Sequence, residues 1–178
     1  DADERVTLEL AGQIALVFTR DNPGASAFAV ARRNRFLGRW LNHGEGYPDW
    51  NVRLFDRRWA HWSDDVVHER VIVDGHAARI GGDLLHASAE SLSDYIGKQN
   101  RYTTLQAAAL HRQGRTAGFA QIALAPVARF LRLYFFRLGF LDGAAGFAHI
   151  AVGCFGSFLK YAKLRALNVA DAQASSSE

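Results

Sequence analysis

The 178-residue sequence has no methionine, one cysteine and three prolines. A lone Cys154 cannot close an internal disulfide. That excludes a disulfide-stapled secreted scaffold and suits a reducing compartment. No group of Cys and His residues has zinc-site spacing, which argues against a structural zinc fold. The missing methionine, with Asp1 in first place and no signal-peptide pattern behind it, predicts the later part of a longer protein or a processed product. Acidic residues are also scarce in one region. Residues 110–167 hold eight Lys and Arg but a single acid, Asp142. No internal repeat is present.

What is there is enough for a core. The chain is 49% hydrophobic and 22% charged, which excludes a disordered polymer. Residues 1–109 are close to neutral, with 13 basic and 15 acidic side chains. The basic, aromatic-rich stretch behind them implies a second task.

Periodicity predicts a helix over 6–18 with Thr7 as N-cap and Leu8, Ala11, Ile14 (or Ala15) and Phe18 on its apolar face. Residues 21–24 read as a turn and 28–31 as a short strand. The Arg- and Gly-rich stretch 32–46 reads as an irregular connection. Strands are predicted at 51–55, 66–73 and 77–86, the last broken at Gly81-Gly82. Ser91 to Asp94 resembles a capping box opening a helix to about Arg112, with Leu92, Tyr95, Ile96, Tyr102, Leu105 and Ala109 near one face. After a loop at 114–118, Pro126 falls in the first turn of a helix through Arg137. Gly139 to Gly143 breaks it, and a last helix covers 144–167. The tail 168–178 reads as disordered.

Several side chains are candidates for chemistry. Asp1 and Asp3 form a D-x-D pair, two oxygen donors fit for Mg²⁺ or Mn²⁺ and a bridged phosphate; a solvated turn has the same spacing. Glu69 lies in an apolar stretch, where it is a general base or a residue on the wet face of a strand. His86 follows an apolar pair and is a third metal ligand or a hydrogen-bonded structural histidine. Arg53, Arg57, Arg58, Lys98 and Arg101 are cations fit for a diphosphate, or ordinary surface charge.

In order along the chain, Asp1-Ala2-Asp3-Glu4-Arg5-Val6-Thr7, Tyr47-Pro48-Asp49-Trp50-x-x-Arg53-Leu54-Phe55-x-Arg57, Val67-His68-Glu69, Gly82-Asp83-Leu84-Leu85-His86 and Lys98-x-Asn100-Arg101-Tyr102 form a series. That series resembles family 2 glycosyltransferases, in particular bacterial lipopolysaccharide-core heptose β-1,4-glucosyltransferases. The resemblance implies an α/β fold: the C-terminal half of a GT-A nucleotide-diphospho-sugar transferase, followed by a helical membrane-associating appendage. The expected domains are 1–112 for the acceptor side, 113–167 for basic aromatic helices and 168–178 for the tail. The upstream nucleotide-binding half is absent, so this portion is expected to be inactive alone.

The resemblance further implies an inverting, metal-dependent transfer. Asp1, Asp3 and His86 would hold a divalent cation (Mg²⁺ or Mn²⁺) and Glu69 would be the catalytic base. Arg53, Arg57, Lys98, Arg101 and Tyr102 would bind phosphate or substrate. The donor would be a nucleotide sugar such as UDP-glucose, and the acceptor a lipid-linked saccharide. The alternation of aromatic and basic residues over 126–165 fits peripheral association with an anionic membrane, here the cytoplasmic face of the bacterial inner membrane. Its apolar density argues against a nucleic-acid surface. A phosphatase-type reading of Asp1, with Asp64-Asp65 as late acids, lacks matching Ser/Thr and Lys residues. The alternative outside enzymology is a non-catalytic membrane-surface binding module, or an inactive fragment of such an enzyme.

Overall fold

Thr7 ends the first strand and starts the first helix. In the computed structural model, which describes residues 3–19, 24–63, 70–87 and 91–175, β1 is Glu4–Val6 and α1 is Leu8–Phe18. The Thr7 hydroxyl accepts from the Leu10 amide, the expected N-cap. The buried face of α1 is turned from the predicted one. Leu10 is buried with Ile14 and Val17 beside it, whereas Leu8 is 94% exposed. Both sets have helical spacing, so the strand surface beneath α1 makes the choice.

The remaining strands are β2 (Ala27–Phe36), β3 (Arg39–Trp40), β4 (Asp49–Phe55), β5 (Ala60–Trp62), β6 (Val71–Val73) and β7 (Ala77–His86). β7 runs parallel to β2, while β1 pairs antiparallel with β7 and β4 antiparallel with β2. β5 and β6 form a separate two-stranded ribbon. The predicted strand at 66–73 lies partly outside the described residues.

Two expectations about strands are corrected. β2 does not stop at Ala31 but runs on through Arg32, Arg33 and Asn34. Those polar side chains all find partners on neighbouring segments, so charge does not end the strand. Gly81-Gly82 does not break β7 either. The register between β2 and β7 shifts there, a bulge. Gly82 sits at φ 83°, and a Cβ on it would overlap the Leu10 backbone. The bulge lets α1 press against the sheet, closing the core of Leu10, Phe28, Val30, Ile80 and Leu84.

The chain divides into two compact units, Asp1–Ala89 and Glu90–Glu178. The second unit is helical and takes α2 (Leu92–Arg112) with it, a division earlier than the expected boundary at 112. Ser91 and Asp94 make the full capping box. The packed stripe of α2 centres on buried Thr103 and Ala107, while Leu92, Ile96 and Leu105 are exposed. Residues 103 and 107 lie four apart, on the row that meets the final helix.

α3 is Phe119–Leu131, with Pro126 in its interior rather than its first turn. Gly118 is its N-cap, and the Gly118 amide donates to Gln121 Oε1 at 3.0 Å. A π-helical turn (Arg132–Phe136) and a 3₁₀ turn (Gly139–Asp142) lead into α4, Gly143–Ser175. α4 continues through the segment expected to be disordered. Residues 168–174 contain three Ala and a Gln and no Gly or Pro, so small size does not stop the helix. α4 packs on both α2 and α3. Tyr95 meets His149 and His111 meets Asn168, so α2 and α4 run the same way. Ala117 meets Asn168 and Phe130 meets Phe147, so α3 runs opposite to α4.

Candidate functional site

The pairing of the first unit gathers charge at one end. β2 and β7 are parallel, so their carboxyl ends coincide, with Asn34 opposite His86. β1 and β4 are antiparallel to them and start at that same end, placing Glu4 opposite His86 and Asp49 opposite Arg32. In α/β sheets the carboxyl ends of parallel strands are the usual place for ligands.

His86 is held on both ring nitrogens. Nε2 lies 3.1 Å from Asp3 Oδ2 and Nδ1 lies 2.9 Å from Asn34 Oδ1. The Asn34 side-chain NH₂ donates to the Gly46 carbonyl at 3.2 Å, which turns its oxygen towards His86. An amide oxygen only accepts, so the Nδ1 of His86 carries the hydrogen. In the neutral ring Nε2 is then a lone pair facing a carboxylate.

Glu4 is the best-buried acid of the group, its side chain 6% exposed. Arg53 donates to it through Nη2 at 3.2 Å and Nε at 3.5 Å, and Arg32 Nη1 stands 3.8 Å away. Arg32 also donates to Asp49 Oδ2 through Nη2 at 2.7 Å and Nε at 2.9 Å. Asp83 accepts from the Tyr47 hydroxyl at 2.8 Å and faces Arg33 Nη1 at 3.7 Å. Burial first, and then the hydrogen bond and charge of Asp83, push the Tyr47 hydroxyl pKa above its usual 10.0. Arg33 also lies over the Tyr47 ring and bonds Asn42. Asp83 is anchored in turn by Thr7, whose hydroxyl donates to its carbonyl at 2.9 Å.

The structure thus brings Asp3 and His86 together. Asp1 and Glu69 lie outside the described residues. Arg53 stands on β4 with its guanidinium on Glu4, and Arg57 is exposed in the turn after β4. Lys98, Arg101 and Tyr102 fall in the other unit, on α2. Among the described residues no three His, Cys, Asp or Glu side chains form a metal cage. Glu4, Arg32, Arg33, Asn34, Tyr47, Asp49 and Asp83 join this end of the sheet although residue type and spacing alone do not mark them as site residues. Glu4, Tyr47, Asp49 and Asp83 stand inside the motif series, which is their available signal.

The same chain is similar to known bacterial proteins. It is 26% identical, over 95% of its length, to an uncharacterized glycosyltransferase of Rickettsia typhi, and matches one of Rickettsia prowazekii equally well. It is 28% identical, over 92% of its length, to the lipopolysaccharide core biosynthesis glycosyltransferase LpsC of Rhizobium meliloti. The chain spans 61% of the length of each of these relatives. No family model matches it, and no solved structure matches it. The motif resemblance is therefore matched by whole-chain similarity to proteins named glycosyltransferases, with a mixed α/β first unit consistent with part of one.

Proposed function

We propose that the parent protein is an inverting, metal-dependent glycosyltransferase of family 2 and GT-A fold, of which residues 1–112 are the acceptor-side part and residues 113–167 a helical appendage. The observation that carries this reading is the pairing of Asp3, the second acid of the D-x-D motif, with His86 at the carboxyl end of β7. The relatives named as glycosyltransferases support it, one of them named for lipopolysaccharide core biosynthesis. The donor is a nucleotide-diphosphate sugar, UDP-glucose by resemblance. The acceptor is a lipopolysaccharide-core or other lipid-linked saccharide, met at the cytoplasmic membrane face.

The facing acceptors of Asp3 and His86 fit a divalent cation, with Asp1 as a third donor and Mg²⁺ or Mn²⁺ suited to oxygen-rich ligands. When bound, such an ion offsets the charge that develops on the departing diphosphate. Asn34 fixes the ring of His86, so that Nε2 stays turned towards Asp3. Glu69 takes the proton of the acceptor hydroxyl as its oxygen attacks the anomeric carbon. The bond from that carbon to the diphosphate breaks, and the nucleoside diphosphate leaves. Arg57, Lys98, Arg101 and Tyr102 are proposed to hold phosphate or sugar. For Arg53 the contact with Glu4 favours a positioning part, keeping the strand ends together beside Asp3.

Mn²⁺-dependent binding of UDP-glucose to the parent protein, followed calorimetrically, tests the reading. Binding that ignores Mn²⁺, or no binding, counts against it. The second reading is a membrane-surface module without catalysis. The exposed apolar residues of α3 favour that reading, and lipid binding without nucleotide-sugar binding would select it.

A further inference from the structure

α3 has its apolar and polar faces inverted for a helix in water. None of its residues is fully buried. Leu124, Val127 and Leu131, with Phe135 in the π-turn, are between 45% and 63% exposed. Their spacing of three and four residues puts them on one side. Arg129, in contrast, turns inward and donates to the Ser157 hydroxyl at 3.0 Å. On α4, Phe155 and Phe158 are exposed and stack on each other at 6.1 Å.

Residues Phe119–Phe136 and the helix Gly139–Ala174 are each long and apolar enough to cross a membrane. α2 argues for lying in the surface instead. It runs alongside α4 and carries Asp94, Lys98, Arg101 and Arg112, which need water. The charge near the apolar stripe has one sign. Arg132 and Arg137 are exposed beside it, and the single acid of residues 110–167, Asp142, is buried.

We infer that α3 lies in the plane of an anionic bilayer leaflet, with Leu124, Val127, Leu131 and Phe135 among the acyl chains and Arg132 and Arg137 at the lipid phosphates. This rests on the membrane location within the proposed function and names its contact surface; it does not rest on the sugar chemistry. Charge complementarity selects lipid over an apolar protein partner, since the apolar stripe is flanked by cations and not by a mixed polar rim.

The test is sedimentation of the full chain with phosphatidylglycerol/phosphatidylethanolamine vesicles and with phosphatidylcholine vesicles. The chain is expected to bind the anionic vesicles preferentially. Leu124→Glu/Leu131→Glu is expected to weaken binding at least about tenfold, with the helical circular dichroism unchanged because both side chains point away from the packed faces. Salt at about 0.5 M is expected to weaken binding less than the double substitution does. Undiminished binding by the double variant, complete release by salt, or no binding to either vesicle overturns the inference. Self-association abolished by the double variant without vesicle binding also overturns it and assigns the stripe to a second copy. Asp3→Asn is expected to leave vesicle binding unchanged. Loss of the transferase reading therefore leaves this result standing, and the reverse holds too.

Discussion

Asn34 and His86 form a directed pair. Asn34 Oδ1 accepts from His86 Nδ1 at 2.9 Å because its amide NH₂ is committed to the Gly46 carbonyl. The pair joins the adjacent parallel strands β2 and β7 at their carboxyl ends and turns Nε2 of His86 towards Asp3. Groups that orient a metal-binding histidine typically change metal affinity about 10–100-fold when removed. Asn34→Ala in the parent protein is expected to weaken Mn²⁺ affinity within that range, with little change in fold. An unchanged Mn²⁺ titration would show that the orientation of His86 does not matter for the ion.

Glu4 lies beneath Arg53 and Arg32 with almost no exposure. Glu4→Gln keeps the shape and removes the charge that Arg53 and Arg32 face. A charge-assisted contact of this burial is worth about 2 kcal/mol, the arginines being partly solvated. Urea unfolding of the chain is expected to show a loss of that size. The further loss on adding Arg53→Gln should be small, since the two share one interaction. Fully additive losses would break the link between β1 and β4.

Tyr47 supplies a pH dependence with a definite sign. Its hydroxyl ionises above its ordinary value in the folded chain, chiefly through burial and then through Asp83. The neutral phenol is thus favoured by folding. The stabilisation is fully present below about pH 10, where the unfolded chain titrates, and is lost as pH rises through the higher folded value. Thermal melts between about pH 8 and pH 11.5 are expected to fall more steeply for the wild type than for Tyr47→Phe. Parallel curves would mean that the hydroxyl is not coupled to folding.

Gly82 holds the bulge against α1. Gly82→Ala forces a side chain into a positive φ and into the Leu10 backbone. The conformational cost alone is about 1–2 kcal/mol, and the overlap adds to it. A drop in the urea midpoint of the first unit's unfolding is expected, larger than that for Gly24→Ala. Gly24 also has a positive φ but open space around its Cβ position. Equal drops would remove the packing argument and leave only the backbone one.

Much of this architecture was readable from local chemistry. Thr7 and Ser91 announce their helices because each hydroxyl accepts from a first-turn amide, which has no acceptor within its own helix. α2 ends at Arg112 as its pattern indicates. The missed features depend on contacts distant in sequence. Arg32, Arg33 and Asn34 look like a loop until Asp49, Asp83 and His86 are brought beside them. The apolar face of α1 has two equally periodic choices, and the bulge at Gly82 decides for Leu10. α3 misleads more deeply, since its apolar residues point outward and apolar periodicity carries no sign for inside or outside. Asp3 and His86 stand in the motif series, and the fold brings them within 3.1 Å of each other. Glu4 stands there too, but an acid beside another acid gives no sign of the arginines that cover it.

In the proposed reaction Asp3 holds a divalent cation for glycosyl transfer. The most direct test of this is transfer of radiolabelled glucose from UDP-glucose to a lipopolysaccharide-core acceptor by the parent protein, with and without Mn²⁺, for wild type and Asp3→Asn. Expected are Mn²⁺-dependent turnover by the wild type and a loss of about 10²–10³-fold in the variant, the size seen when one preorganised stabiliser of developing charge is removed. Wild-type turnover by Asp3→Asn, or turnover that chelation does not reduce, would contradict the claim.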